Sequence, residues 1–150
     1  MANGYNSTDP LTLDNQLCFS VYSTAHAFTR LYRTLLDPLG LTYTQYIVLL
    51  ALLAEDGLSI KMLGERLALD SGTLTPVLRR LDPAGYVERT RDQRDERIVR
   101  IHLTDQTRDR HWDFERVRAT VAEATGLDAD ELMYLQQQLT RLRAGLESGL

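Results

Sequence analysis

Only one cysteine, Cys18, occurs in the 150 residues. A single thiol cannot close an intramolecular disulfide, which excludes a disulfide scaffold and points to a reducing compartment. Long hydrophobic runs are missing too: the longest, residues 47–54, is far shorter than the ~18–20 residues that span a bilayer. The first ten residues have neither a basic start nor an apolar stretch, so they do not read as a secretory leader. The expected location is the cytoplasm. His26, His102 and His111 show no metal-ligand spacing with a cysteine or carboxylate partner. Ser-His-Asp, paired-carboxylate and glycine-rich phosphate motifs are also missing, so neither metal, cofactor nor catalysis is expected. There is no internal repeat and no low-complexity tract.

What is present is unevenly charged. The net charge is −4, which by itself disfavours a polyanionic partner. Residues 61–100, however, hold nine basic and seven acidic side chains, a local +2. Arg89, Arg91, Arg94, Arg97 and Arg100 fall within twelve positions. A basic stripe on an acidic chain is compatible with docking on phosphates.

The hydrophobic pattern is mostly helical. Leu17, Val21, Phe28, Leu31 and Leu35 recur at helical steps over residues 13–36, and Asp37-Pro38 closes that helix. Thr42-x-x-Gln45 has capping-box spacing and opens a second helix that Gly57 ends. Its interior is apolar nearly all round and should be buried. Ser59 caps a short helix over residues 60–67. Asp70 or Thr73 caps another that reaches residue 81 or 82, with Pro76 complicating its start. Two short helices joined by a tight polar turn behind a buried helix form a helix-turn-helix layout.

Pro83 and Gly85 break the pattern, and residues 86–91 and 98–103 then read as paired strands. Val99, Ile101 and Leu103 share one face of the second strand, Arg100 and His102 the other, solvent-facing one. A hairpin directly after a helix-turn-helix is a wing. Thr104 or Asp105 caps a long helix to about residue 125. Asp128-x-x-Glu131 opens a last helix with a stripe of Leu132, Leu135, Leu139, Leu142 and Leu146. The fold class is therefore mostly α with one β-hairpin wing, a winged helix-turn-helix over residues 42–104. Residues 11–38 and 105–150 supply N- and C-terminal dimerisation helices. Amphipathic helices with no core left to cover usually cover another subunit, so a homodimer is expected.

On the second short helix, Ser71, Thr73, Thr75 and Arg79, with Arg80 a weaker candidate, can reach base edges or phosphates of duplex DNA. The same residues also fit plain capping and a solvated face. At the hairpin tip, Arg94 is the candidate for a minor groove. Arg97 stands beside it as a DNA-binding or loop-bracing residue, and Asp92 and Asp95 orient the loop.

Cys18 has two readings. A lone cysteine on an apolar helix face is more often an inert small hydrophobe. Against that, it lies about a turn and a half into the first helix, near enough to the exposed N–H end to favour a thiolate weakly. Tyr22 is at i+4, on the same face, with a hydroxyl able to reach sulfur. Tyr32 lies close to that face but roughly 21 Å further along a straight helix, at ~1.5 Å per residue. Only an antiparallel neighbour across a two-fold axis, or a sharp bend, brings it to the sulfur. Both tyrosines could equally pack an interface.

Four stretches together resemble the MarR family: Leu13-Asp14-Asn15-Gln16-Leu17-Cys18-Phe19, Leu41-Thr42-Tyr43-Thr44-Gln45-Tyr46, Leu69-Asp70-Ser71-Gly72-Thr73-Leu74-Thr75-Pro76 and Arg91-Asp92-Gln93-Arg94-Asp95-Glu96-Arg97. More narrowly they resemble its organic-hydroperoxide-sensing branch, OhrR. The resemblance implies a dimeric repressor of operator DNA, with Cys18 as peroxidatic cysteine and Tyr22 and Tyr32 (from the opposite subunit) hydrogen-bonded to its thiolate. Lacking a second cysteine, the chain is similar to the single-cysteine type, whose oxidised sulfur is capped by a small thiol or overoxidised. The regulated gene would then encode a peroxide-detoxifying enzyme. Three other readings stand beside it. One is a MarR-type repressor released by a small aromatic or lipophilic ligand, with Cys18 only structural. Another is a thiol peroxidase, disfavoured by the lack of a resolving cysteine or a neighbouring cation. The third is a plain interaction module, which would fail to bind any duplex with salt-sensitive affinity.

Overall fold

In a computed structural model the described residues are 11–149. The leaderless reading of residues 1–10 lies outside them. The chain forms two compact units that meet at residues 109 and 110.

In the first unit a single 3-10 turn (Leu13–Asn15) leads through an extended Gln16 (φ −90°, ψ 115°) into α1 (Leu17–Leu36). The helix thus begins four residues later than the periodicity predicts, because Gln16 breaks the spiral that the apolar spacing runs through. A second 3-10 turn (Asp37–Leu39) holds Pro38 and hands over to α2 (Tyr43–Ala54). The predicted capping box is formed: the Gln45 N–H donates to Thr42 Oγ1, and the Thr42 N–H to Gln45 Oε1. Tyr46, Val48, Leu49 and Leu52 of α2 are fully buried, as its all-round apolarity requires.

Helix α2 stops at Ala54, three residues before the predicted glycine. Glu55 is already extended, and Asp56 turns to receive the Leu103 N–H at 2.9 Å. Then comes β1 (Leu58–Ser59), a strand too short for any periodicity to reveal. It is followed by α3 (Ile60–Leu67), capped by Ser59, and α4 (Ser71–Leu81). Between the two candidate caps of α4 the structure has Asp70, which accepts the Thr73 N–H at 2.8 Å. Pro76 therefore sits inside the helix.

The hairpin is β2 (Val87–Arg91) and β3 (Val99–Leu103). Strand β3 is central, antiparallel to both neighbours in the order β1-β3-β2, so the wing sheet has three strands rather than the two expected. Ile101 and Leu103 are buried and Val99 is half-buried, as the alternation predicts. The buried leucines of α3 and α4 (Leu63, Leu74, Leu78 and Leu81) complete the same core.

The long helix predicted after Thr104 is interrupted. A short α5 (Asp105–Asp109) ends the first unit, and Arg110 leaves helical geometry (φ −88°, ψ 13°) before α6 (His111–Ala124) opens the second. Arginine is a good helix former, so nothing in the sequence marks the interruption. Helix α6 buries Phe114, Val117 and Val121, and α7 (Ala129–Ser148) carries the second capping box, Asp128 with Glu131. On α7, Leu132 and Leu142 are half-buried, whereas Leu135, Leu139 and Leu146 are exposed. No single helix among the described residues is long and apolar enough to cross a membrane.

Candidate nucleic-acid interface and cysteine site

Helix α4 is amphipathic by position. At ~100° per residue, Leu74, Val77, Leu78 and Leu81 fall on one arc, and these are buried or half-buried. Ser71, Gly72, Thr73, Pro76, Arg79 and Arg80 occupy the exposed remainder, with Thr75 half-buried at its edge. Ser71, Thr75 and Arg79 form one i, i+4 row, so a hydroxyl, a hydroxyl and a guanidinium follow one another up the open side. The Thr73 hydroxyl donates to Asp70 Oδ2 at 3.0 Å, which leaves its lone pairs rather than its proton for an incoming group. Arg79 and Arg80 form no ion pair among the described residues. Asp70 is held below the usual carboxylate range, chiefly by the Thr73 N–H and then by the Thr73 hydroxyl.

At the tip of the wing, Asp92 and Asp95 do what the loop needs. Asp92 Oδ1 accepts the N–H groups of Arg94 (2.8 Å) and Asp95 (3.2 Å), and Asp95 Oδ1 accepts that of Arg97 (3.0 Å). Arg91 adds a bond from its guanidinium to the Glu96 carbonyl. The side chains of Arg94 and Arg97 are exposed and make no ion pair among the described residues, so two cations project from a loop whose backbone is tied.

Sequence reasoning missed what holds this loop to the sheet. Asp92 Oδ2 accepts a charge-assisted bond from Arg100 Nε, and Arg100 Nη1 donates to the Gly57 carbonyl at 2.9 Å. His102, two residues on and on the same strand face, lies 3.1 Å from Asp56 Oδ2 and 3.0 Å from Thr90 Oγ1. Arg108 reaches the same Asp56 oxygen at 2.8 Å. The face read as solvated is thus half-buried at Arg100 and His102. Burial pushes the Asp56 carboxyl up, but the Leu103 N–H, His102 and Arg108 outweigh it and leave it below its ordinary value. The signal available beforehand was two basic residues at i, i+2 on one strand face. Their partners, a carbonyl and a carboxylate more than forty positions away, carry no local mark.

Cys18 is exposed and is the second residue of α1. It therefore sits in the first turn, where helix N–H groups lack helical acceptors, rather than a turn and a half in. Within the chain, no hydrogen bond joins it to Tyr22 among the described residues; the Tyr22 ring packs on His26 at 4.3 Å. Tyr32 is far up the helix, against Tyr43 (4.8 Å) and Tyr46 (5.7 Å), and no bend brings it to the sulfur. Burial, then the neighbouring Tyr43, raises its phenol above the ordinary value. A cleft of about 260 Å³ lined by Ala25, Phe28, Thr29, Tyr32 and Tyr43 opens there. Ala25 is at i+7 from Cys18, so the cysteine and the cleft lie on one face of α1, about 10 Å apart along it. Among the described residues no group of three or more histidine, cysteine or acidic side chains could hold a metal.

Comparison with known proteins fits this arrangement. A family model described as transcriptional regulator SarA/Rot matches residues 30–113. The transcriptional regulator TtmR of Methylorubrum extorquens is 51% identical over 140 residues, covering 93% of this chain and 72% of its own. The organic hydroperoxide resistance transcriptional regulator of Bacillus subtilis is 47% identical over 100 residues, 67% of this chain and 68% of its own. Among solved structures, reduced AbfR bound to DNA, a Staphylococcus epidermidis protein, superposes with a TM-score of 0.75 at 36% identity, covering 89% of this chain and 93% of that one. AbfR has also been solved overoxidised and bound to DNA.

Proposed function

Because the chain belongs to the SarA/Rot family of transcriptional regulators, DNA-binding proteins with the MarR-like winged helix rather than enzymes, we propose that it is a peroxide-released repressor. The reduced homodimer holds operator DNA and leaves it when an organic hydroperoxide oxidises Cys18. The observation that carries this reading is the position of Cys18. It is the sole thiol, exposed in the first turn of α1, on the face that continues into an aromatic-lined cleft.

In the reduced state the two α4 helices enter successive major grooves, about 34 Å apart, and the wings follow the flanking minor grooves. Ser71, Thr73, Thr75, Arg79 and Arg80 contact bases and phosphates. Arg94 enters the minor groove, with Arg97 beside it, on loops braced by Asp92 and Asp95.

On exposure to a lipophilic hydroperoxide, the Cys18 thiolate attacks the terminal peroxide oxygen. An S–O bond forms, the O–O bond breaks, and the alkoxide takes up a proton and leaves as the alcohol. With no second cysteine, the sulfenic acid condenses with a small cellular thiol, forming an S–S bond and releasing water. The mixed disulfide adds bulk where the subunits pack, and tightly packed interfaces shift between discrete arrangements. Tyr32, too far along its own helix, and Tyr22, whose ring packs on His26 in its own chain, serve Cys18 from the partner subunit. Overoxidised AbfR on DNA supports assigning release to the bulky mixed disulfide rather than to added sulfur oxygens. The setting is the cytoplasm, where operator and thiol pool coexist.

The test is duplex binding to the region upstream of the protein's own gene, before and after cumene hydroperoxide, for wild type and Cys18→Ser. Release of wild type alone supports the reading. If the oxidant leaves both bound, or releases both, Cys18 is not the switch. The cleft at Tyr32 then favours a second reading, a repressor released by a small aromatic or lipophilic ligand held against Phe28, Tyr32 and Tyr43.

A further inference from the structure

Arg100 ties the wing tip to the body of the DNA-binding region. The Asp92 carboxylate collects the Arg94 and Asp95 N–H groups on one oxygen and Arg100 Nε on the other. The far end of the same guanidinium donates to the Gly57 carbonyl, in the turn between α2 and β1. A planar fork with donors on two edges can hold two acceptors in fixed relation, which an ammonium cannot do. His102 makes a parallel link from Thr90 on β2 to Asp56 in the same turn.

We infer that Arg100 is a positioning residue for DNA binding: it sets the height and tilt of the wing tip and so the place of Arg94, without touching DNA itself. The inference rests on the winged-helix reading of Arg94 above. Arg100 is tied to two acceptors within the chain, whereas Arg94 is exposed and has no carboxylate partner among the described residues. The two arginines lie six positions apart on one stripe, but one is structural scaffold and the other is the projecting contact. Without Arg100 the tip keeps its strand hydrogen bonds and the Arg91–Glu96 bond but loses its tie to Gly57, and ordering it on each binding event carries an entropic cost.

The experiment is a double-mutant cycle on the full-length protein with the duplex from its own upstream region: Arg94→Ala, Arg100→Met and the pair, each checked for an unchanged thermal unfolding midpoint. Arg94→Ala should weaken binding about tenfold, and Arg100→Met roughly fivefold. In the Arg94→Ala background, Arg100→Met should add almost nothing, because its effect travels through Arg94. Additive losses overturn the inference, since they mean that Arg100 acts independently. Full affinity in Arg100→Met overturns it as well. Wild-type affinity in Arg94→Ala is a different failure, that of the wing reading itself. Should Arg100→Met lower the unfolding midpoint, Arg100→Lys carries the cycle instead: it keeps the charge beside Asp92 but cannot also hold Gly57, and is expected to fall between wild type and Arg100→Met.

Discussion

Asp92 is pushed down to about 2, first by the Arg94 N–H, then by the Arg100 guanidinium and the Asp95 N–H. A carboxyl whose folded value lies below its unfolded value of ~3.9 favours the folded form fully above that value and ceases to as pH falls through the folded one. The wing tip should therefore loosen between pH ~4 and about 2, while the rest of the first unit keeps its core. An NMR titration of the Asp92 carboxyl reads this directly. In Arg100→Met its midpoint should move upward yet stay below the ordinary carboxylate value, because the backbone donors persist. An unmoved midpoint would mean that the ion pair does not form in solution. Gly57 offers a second residue-scale test. Its φ is +72°, and a Cβ there would stand 2.9 Å from His102 Cε1. Gly57→Ala should cost more than ~1 kcal/mol in thermal unfolding. Adding His102→Ala should restore only the part due to the contact, since the backbone strain remains.

At the scale of elements, α4 depends on its cap. Asp70→Ala removes the acceptor of the Thr73 N–H and should destabilise the fold by about 1 kcal/mol, weakening duplex binding as the first turn of the reading helix frays. Circular dichroism melts and binding on the same sample separate the two effects. Tyr86 ties the base of the hairpin to the corner between α1 and α2, its hydroxyl donating to the Leu39 carbonyl. Tyr86→Phe deletes that bond with little change of shape and should lower urea stability by about 1 kcal/mol. The elements themselves were unequally legible. Capping boxes at Thr42 and Asp128 and the apolar spacing of α4 are local signals, so those helices could be read directly. The two-residue β1 and the break at Arg110 carry no local signal: one is a pairing with β3, the other a change at a single backbone position.

For the whole molecule, the large apolar residues left in water matter most. Leu17, Val21 and Tyr22 on α1, and Leu135, Leu139 and Leu146 on α7, are all exposed in the single chain. Apolar faces of this kind on amphipathic helices mark an interface with another chain, and sedimentation should give twice the chain mass. Leu135→Lys with Leu139→Lys should shift the protein toward monomer and reduce operator affinity together, because two half-sites are then no longer read by one particle. A protein that stays dimeric with both lysines would place the interface elsewhere. Binding should also fall steeply with salt, as expected when Arg79, Arg80, Arg94 and Arg97 displace counterions from phosphates.

Periodicity, caps and breakers determined that this chain makes a winged helix-turn-helix, because those signals act over a few residues and need no partner at a distance. They also singled out Cys18 and the basic tip residues, whose chemistry is a property of side-chain type. What only the tertiary structure decided is how these parts are held. Gln16 moved Cys18 into the first turn of its helix. Asp56 ended α2 early because three partners from distant segments converge on it. Arg100 and His102, read as solvent-facing, became the links between the wing and the rest of the DNA-binding region. The last two depend on groups brought together from tens of residues away, and no pattern along the sequence records that closure.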